Sequence, residues 1–374
     1  ASWKAADGQL AADGPRSHLF YTGPVQNAVF KNFELEVEAM ARPGCNSGVY
    51  FHTKYQEKGF PIQGFEIQIN NTFGGEGSYR ERKKTGSLYG IRNVYMQLIP
   101  DNQWFKIHAA VRGKNIQIRL NDVLVVDYTE PTPPIIPPAE ETGRFLSQGA
   151  FALQCHNEGS KAFFRRVRVR PLPDDLATPG PVPVVDAVFK QIINIGRHNL
   201  PMVDYHVKLG RGLTLEQALA KSRRDGIQYG IVLRADAAGR TAAEGLKGQP
   251  VFVGTDVTRP GQPRFGDYAV TSVPALLEAE PVDIFSIAQE HEPSDELIAL
   301  AAKKGVAIEI NDRLSRPGPA VIRAAKAAGC KFAFGTGNTG PEDLRRSEYG
   351  LRMVEECRLG WQDFFLPKPR NLTA

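Results

Sequence analysis

The chain has 374 residues, too many for one ordinary hydrophobic core and enough for about two domains. Its 42% hydrophobic and 23% charged residues describe a folded chain rather than a disordered one, and no apolar run is long enough to cross a bilayer as a helix. The net charge of +5 is modest and the basic residues are interspersed with acidic ones, which argues against a nucleic-acid track.

From Trp3 to about Val169 nearly every segment reads as a short strand bounded by turn residues. Phe33 to Glu38 alternates perfectly and sets three glutamates on one face, the pattern of a solvated outer sheet face. Alternation recurs in Val49-Tyr50-Phe51-His52 and in Phe65-Glu66-Ile67-Gln68-Ile69-Asn70. Further strands are expected at 104–111, 116–120, 123–128, 149–156 and 162–167, with hairpin turns at Arg112-Gly113-Lys114-Asn115 and Asn121-Asp122. Arg165-Arg166-Val167-Arg168-Val169-Arg170 reads as one exposed strand face. Pro131 to Pro138 reads as an extended surface loop.

The proline-rich run from about 172 to 184 marks a linker between a domain at 1–171 and a second at 185–374. Beyond it the period changes to helix alternating with strand. Helices are expected at 215–222 with Thr214 as N-cap, at 294–304 and at 319–328, and strands at 229–233, 306–310 and 331–334. That alternation implies a parallel α/β sheet or barrel, whose functional groups collect at the C-terminal ends of its strands. His206, Glu309, Asn311 and Asn338 fall there. Cys45, Cys155, Cys330 and Cys357 have neither zinc-site spacing nor a disulfide framework and read as buried thiols. No basic and apolar leader opens the chain, so a secretory signal is expected to be absent or already removed.

The fold class read from these patterns is an all-β jelly-roll sandwich followed by an α/β barrel. Strand parity also yields a candidate site: Tyr50 and His52, Glu66, Gln68 and Asn70, and Gln154 and His156 lie opposite the apolar residues of their strands. If those strands are neighbours, the seven residues share a face suited to a sugar ring, with Tyr89 closing one end. GFEIQIN carries a single carboxylate, which disfavours the paired-carboxylate mechanism of ordinary glycosidases.

The ordered motifs Asn46-Ser47-Gly48-Val49-Tyr50-Phe51, Gly64-Phe65-Glu66-Ile67-Gln68-Ile69, Thr85-Gly86-Ser87-Leu88-Tyr89-Gly90, Trp104 and Leu153-Gln154-Cys155-His156 resemble the 3-keto-disaccharide hydrolase domain family. The resemblance spans about residues 2 to 170 and implies a concanavalin-like fold and carbohydrate processing in a secreted or periplasmic setting in bacteria. The family usually has arginine where this chain has His52. On a 3-keto-glycoside, Glu66 and His156 are the candidate bases for the acidified C2 hydrogen, and Gln68, Gln154 or Lys84 the candidate donors to the enolate oxygen. No cofactor is expected, the partner is a saccharide or glycoside, and the oligomeric state stays open.

Val203-Asp204-Tyr205-His206-Val207-Lys208, Ala307-Ile308-Glu309-Ile310-Asn311 and Phe334-Gly335-Thr336-Gly337-Asn338 resemble the PHP phosphoesterase domains. That family needs an HxH pair and further His, Asp and Glu ligands. Here the second histidine of HxH is Lys208 and the closing Asp-x-His is Asn338-Thr339-Gly340, so a metal-depleted barrel is expected. His206, His291 and Glu309 are the alternative metal set. The functional alternatives left open are a carbohydrate-binding module on an inactive scaffold and a metal-dependent phosphoesterase.

Overall fold

A computed structural model describes residues 2–136, 142–287, 292–344 and 346–368. The chain divides into two compact units, Ala1–Ile193 and Asn194–Arg370.

The first unit is a β-sandwich. One antiparallel sheet orders its strands β1 (Trp3–Ala6), β2 (Gln9–Ala12), β11 (Ala162–Leu172), β4 (Asn32–Ala41), β7 (Phe105–Arg112), β8 (Asn115–Leu120) and β9 (Val123–Thr129). The other orders β3 (Ser17–Phe20), β10 (Ala150–Cys155), β5 (Ser47–Thr53) and β6 (Phe65–Ile69). Alternation decides which residues meet in the middle: Phe33, Leu35 and Val37 of β4 and Val49 and Phe51 of β5 are all buried, with the Phe33 and Phe51 ring centroids 5.7 Å apart.

On the outer face of the larger sheet, the glutamate run of β4 lies beside the arginine run of β11. Arg165 pairs with Glu38, Arg168 with Glu36 and Arg170 with Glu34 across the ladder. Glu38 accepts from Arg165 at 2.6 Å and Arg166 at 2.8 Å, and Glu34 lies between Arg112 and Arg170. The two charged runs therefore neutralise each other across one exposed face. Strand β11 continues through Pro171 to Leu172, five residues past the expected end. The start of the proline-rich run is held to this unit, since Asn32 Nδ2 donates to Pro173 O at 2.8 Å and Lys114 N to Thr178 Oγ1 at 2.9 Å.

Within the smaller sheet every residue of β5 and β6 is buried, while β3 at its edge is partly exposed. The polar outer face of β5 and β6 is buried because segments 54–64, 71–104 and 142–149 cover it. All four cysteines are free and buried.

The second unit is a closed barrel of parallel strands in sequential order: β12 (Val203–Val207), β13 (Gln228–Arg234), β14 (Phe252–Asp256), β15 (Tyr268–Thr271), β16 (Ile284–Phe285), β17 (Ala307–Asn311) and β18 (Phe332–Gly335). Among the helices are α1 (Leu215–Asp225), α2 (Asp295–Lys304) and α3 (Pro319–Ala327). Thr214 and Gln217 form a reciprocal capping box on α1, Ser294 caps α2, Gly226 and Gly305 end α1 and α2 in the left-handed region, and α3 opens on Pro319. The β12–β18 seam is sparsely paired and is held by the buried Asp204. Its Oδ1 accepts from both His206 N and Thr336 N at 3.0 Å, and Thr336 Oγ1 donates to Oδ2.

Candidate functional site

Strands β10, β5 and β6 are neighbours, and their outward residues open into one cleft of about 620 Å³. Tyr50 of β5, Glu66 and Gln68 of β6, Gln154 of β10 and His156 just beyond β10 line it together. Tyr50 stands opposite Glu66 and Gly48 opposite Gln68 across the β5–β6 ladder. The glycine of the Asn46-Ser47-Gly48 motif has a definite purpose: a Cβ on Gly48 would lie 3.0 Å from Glu66 Cγ and 3.1 Å from Cδ, so only a bare backbone lets the carboxylate lie there.

Tyr50 is the hub of the floor. Its hydroxyl accepts from Gln154 Nε2 at 2.9 Å and is also hydrogen-bonded to Glu66 and Arg144. Burial first, and then the nearby Glu66 charge, push its pKa well above the ordinary tyrosine value, so the hydroxyl keeps its proton. Gln68 Oε1 and Gln154 Oε1 are buried and have no hydrogen-bond partner among the described residues. Two acceptor oxygens thus lie unsatisfied on the floor of a cleft, where the hydroxyls of a polyol would complete them.

One wall carries a second carboxylate. Glu81 accepts from the hydroxyls of Tyr79 and, at 3.0 Å, Tyr89, and its other oxygen accepts from Lys83 N at 2.8 Å and lies 3.4 Å from Lys83 Nζ. The Lys83 ammonium also sits 4.5 Å from the Tyr89 ring centroid. Aromatic rings form the opposite wall: Phe60 lies 5.2 Å from the His156 ring and 6.0 Å from that of His18, with the Arg16 guanidinium 4.6 Å above it. Burial lowers the pKa of His156 from its ordinary value near 6.5, and burial together with the charges of His156 and Arg16 lowers that of His18 to about 4. Both rings are neutral at pH 7, and His156 is in the form that accepts a proton.

Three of the expected site residues lie elsewhere. His52 is buried against Phe33 and Phe51, with Nε2 donating to Lys31 O at 2.8 Å and Nδ1 accepting from Ser147 N at 3.3 Å. The reason is local: His52 has a φ of 56°, where the ladder to β10 is irregular, so alternation is broken and its ring turns away from the cleft. Asn70 pins the covering segment instead, its Nδ2 donating to Lys83 O at 2.8 Å and its N–H to Thr85 Oγ1 at 2.8 Å. Lys84 does not line the cleft, and its ammonium is 3.5 Å from Asn70 Oδ1 and 3.3 Å from Phe73 O. Tyr89 lines the cleft as expected. Arg16, Phe60, Tyr79, Glu81 and Arg144 also line the cleft, from segments without strand period, where alternation carries no signal.

In the second unit, His206, Glu309, Asn311 and Asn338 gather at the barrel mouth. His206 Nδ1 lies 2.8 Å from Glu309 Oε2, Asn311 Nδ2 donates to the other carboxylate oxygen, and Asn338 Oδ1 accepts from Lys208 N at 2.7 Å. Glu309 fits there because β18 offers Gly335 beside it, where a Cβ would come within 2.6 Å of Glu309 Cδ. His291 lies outside the described residues. Among the described residues no three His, Cys, Asp or Glu side chains are grouped to hold a metal ion, and the His206 nitrogen nearest Glu309 is turned to that carboxylate. The residues present do not fit a polynuclear metal site.

Residues 1–170 match the family described as a 3-keto-alpha-glucoside-1,2-lyase-like domain. No curated protein matches the chain. Two solved structures from Parabacteroides distasonis ATCC 8503, each described as a "putative glycosyl hydrolase", are similar to it. One is 18% identical over 46% of this chain and 84% of that chain with a TM-score of 0.38; the other is 21% identical over 46% and 90% with a TM-score of 0.37. The carbohydrate-binding module CBM66 from Bacillus subtilis is 15% identical over 45% of this chain and 89% of that chain, with a TM-score of 0.30.

Proposed function

We propose that the first unit binds a glycoside bearing a carbonyl at C3 and cleaves its glycosidic bond by elimination, with addition of water as the hydrolytic outcome. The observation that carries this reading is the convergence of Glu66 and His156 on one cleft floored by the acceptor oxygens of Gln68 and Gln154. In this reaction the base takes the proton from C2 and the C–H pair enters the enolate on the C3 oxygen. The carbonyl then re-forms, C1 and C2 become doubly bonded, and the C1–O pair leaves with the aglycone oxygen, which takes up a proton. Water adding across that double bond returns the free 3-keto sugar.

The roles follow from charge and proton state. Glu66 and His156 are the candidate groups for removing the C2 proton and protonating the aglycone. Arg144 lines the cleft and replaces Lys84 as the cationic candidate for stabilising the enolate oxygen. The family match of residues 1–170 supports the same chemistry. The binding-only alternative shares the cleft and differs in turnover alone.

Incubating the protein with the α and β anomers of 4-nitrophenyl 3-keto-glucoside distinguishes them. Nitrophenol release that falls at least a hundredfold in Glu66→Gln or His156→Ala supports catalysis at this cleft. Saturable binding without release moves the function to carbohydrate binding, and full release in both variants overturns the site. Running the reaction in deuterated water separates elimination, which places deuterium at C2 of the hydrated product, from direct hydrolysis, which does not.

For the second unit we infer a PHP-like scaffold that works without that family's polynuclear metal set. The support is a closed parallel barrel with Lys208 and Asn338 standing where the motif has metal ligands.

A further inference from the structure

The barrel mouth of the second unit holds a cavity of about 320 Å³ at the C-terminal ends of its strands. At its base, His206 is fixed by Glu309, which is only 1% exposed, and by Ser286 Oγ, 3.0 Å from the same ring nitrogen. A carboxylate accepts, so Nδ1 carries the hydrogen, which in a neutral imidazole leaves Nε2 as the acceptor. Nε2 has no hydrogen-bond partner among the described residues, and His206 lines the cavity.

The charge around this acceptor is lopsided. Among the described residues Lys208, Arg211 and Arg313 line the cavity against the single carboxylate of Asp256. Arg313 directs Nε to Gly337 O at 3.1 Å. Among the described residues none of the three cations forms an ion pair, and Asp343, which feels the charge of Arg313, is held by Thr339 N at 2.6 Å and Thr339 Oγ1 at 2.7 Å. Ser272, Ser286, Asn311 and Asn338 add hydroxyl and amide groups to the wall, beside the apolar Leu209 and Ile287.

Phosphate sites are commonly built from free backbone N–H groups. Here Lys208 N donates to Asn338 Oδ1 at 2.7 Å, Gly337 N to His206 O at 2.7 Å and Leu314 N to Asn311 Oδ1 at 2.8 Å, so these amides are already engaged. The Lys208 ammonium and the guanidinium edge of Arg313 are the charged donors offered to an anion, and the planar guanidinium edge matches a carboxylate.

We propose that the barrel mouth binds a small polyhydroxylated carboxylate, a sugar acid. Its carboxylate lies between Lys208 and Arg313, one hydroxyl donates to His206 Nε2, and the others meet the serine and asparagine wall.

Calorimetric titration of the full chain with D-gluconate, D-glucuronate and D-galacturonate tests this, with D-glucose and inorganic phosphate as comparisons. At least one acid should bind with a dissociation constant below about 10 mM and at least tenfold tighter than either comparison. Lys208→Met and Arg313→Met should each weaken that acid at least tenfold while keeping the wild-type circular dichroism spectrum, and Arg144→Met in the other unit should leave it unchanged. Lys208 is exposed, so its variant tests binding without disturbing the core. The proposal fails if none of the acids binds, if phosphate alone binds, if both mouth variants bind as the wild type does, or if Arg144→Met abolishes binding.

Discussion

Gly48 and Glu66 occupy one space: the volume a side chain on Gly48 would fill is taken by the Glu66 carboxylate. The small residue in β5 therefore belongs to the same device as the acid in β6. Gly48→Ala must push the carboxylate off its seat or bend the ladder, and it should destabilise the unit by about 1–3 kcal/mol, as overpacked sites do. Release of aglycone from the 3-keto substrate should fall at least tenfold with it. Thermal unfolding and steady-state kinetics on the one variant check both expectations, and wild-type turnover would show that the position of Glu66 is irrelevant.

Lys84 and Arg144 should part company on mutation. Lys84→Met removes an ammonium that bonds to Asn70 and Phe73 O behind the cleft, so kcat should change by no more than about threefold while Tm drops by a few degrees. Arg144→Met removes a cation lining the cleft and should lower kcat/KM at least tenfold. Equal losses in the two variants would restore Lys84 as the oxyanion donor.

His52 makes stability depend on pH. Burial holds its folded pKa at about 4, against 6.5 for an ordinary histidine, and Nδ1 already accepts from Ser147 N, leaving no place for a second ring proton. Between pH 6.5 and about 4 the unfolded chain binds a proton that the folded chain refuses, so stability is fully present above that window and falls as pH drops through it. The loss attributable to His52 is about 3 kcal/mol when complete, and His18 adds to it in the same direction. Urea unfolding across this window checks the slope, which should flatten in His52→Gln.

The thiols should be inert. Cys45 is buried and its pKa is raised to about 12, chiefly by desolvation, and the pKa of Cys155 is also raised. A thiol reagent should label the native protein far more slowly than the denatured protein, and a reductant should leave Tm unchanged. A reductant-dependent Tm would point to a disulfide that the free thiols do not form.

How much of this could be read from residues alone depended on period. Strand alternation placed Tyr50, Glu66, Gln68 and Gln154 on one face, because a pleated strand leaves no other choice. The same rule misplaced His52, since one residue with positive φ reverses the parity and no residue-type pattern announces it. Arg144, Glu81 and Tyr79 come from covering segments, and the only written hint was an unusual density of charge around Tyr79 to Lys84. In the barrel, the helix cap at Thr214 was legible from local chemistry. The closure of β12 on β18 was not, because it rests on Asp204 reaching Thr336 across 132 positions of sequence.

The vacancy at Gly335 also bears on how the barrel strands find their alignment. Along β18 the order is Phe332-Ala333-Phe334-Gly335, and Asn311 stands opposite Gly335. A slip of one residue would put Phe334 where Gly335 belongs and drive its ring into Glu309. Glu309 would then be displaced from His206 and Asn311 while still buried, which is among the costliest defects a core can carry. The glutamate thus works as a key that turns only when the two strands are correctly aligned, so misaligned barrels are penalised before any ligand reaches the mouth.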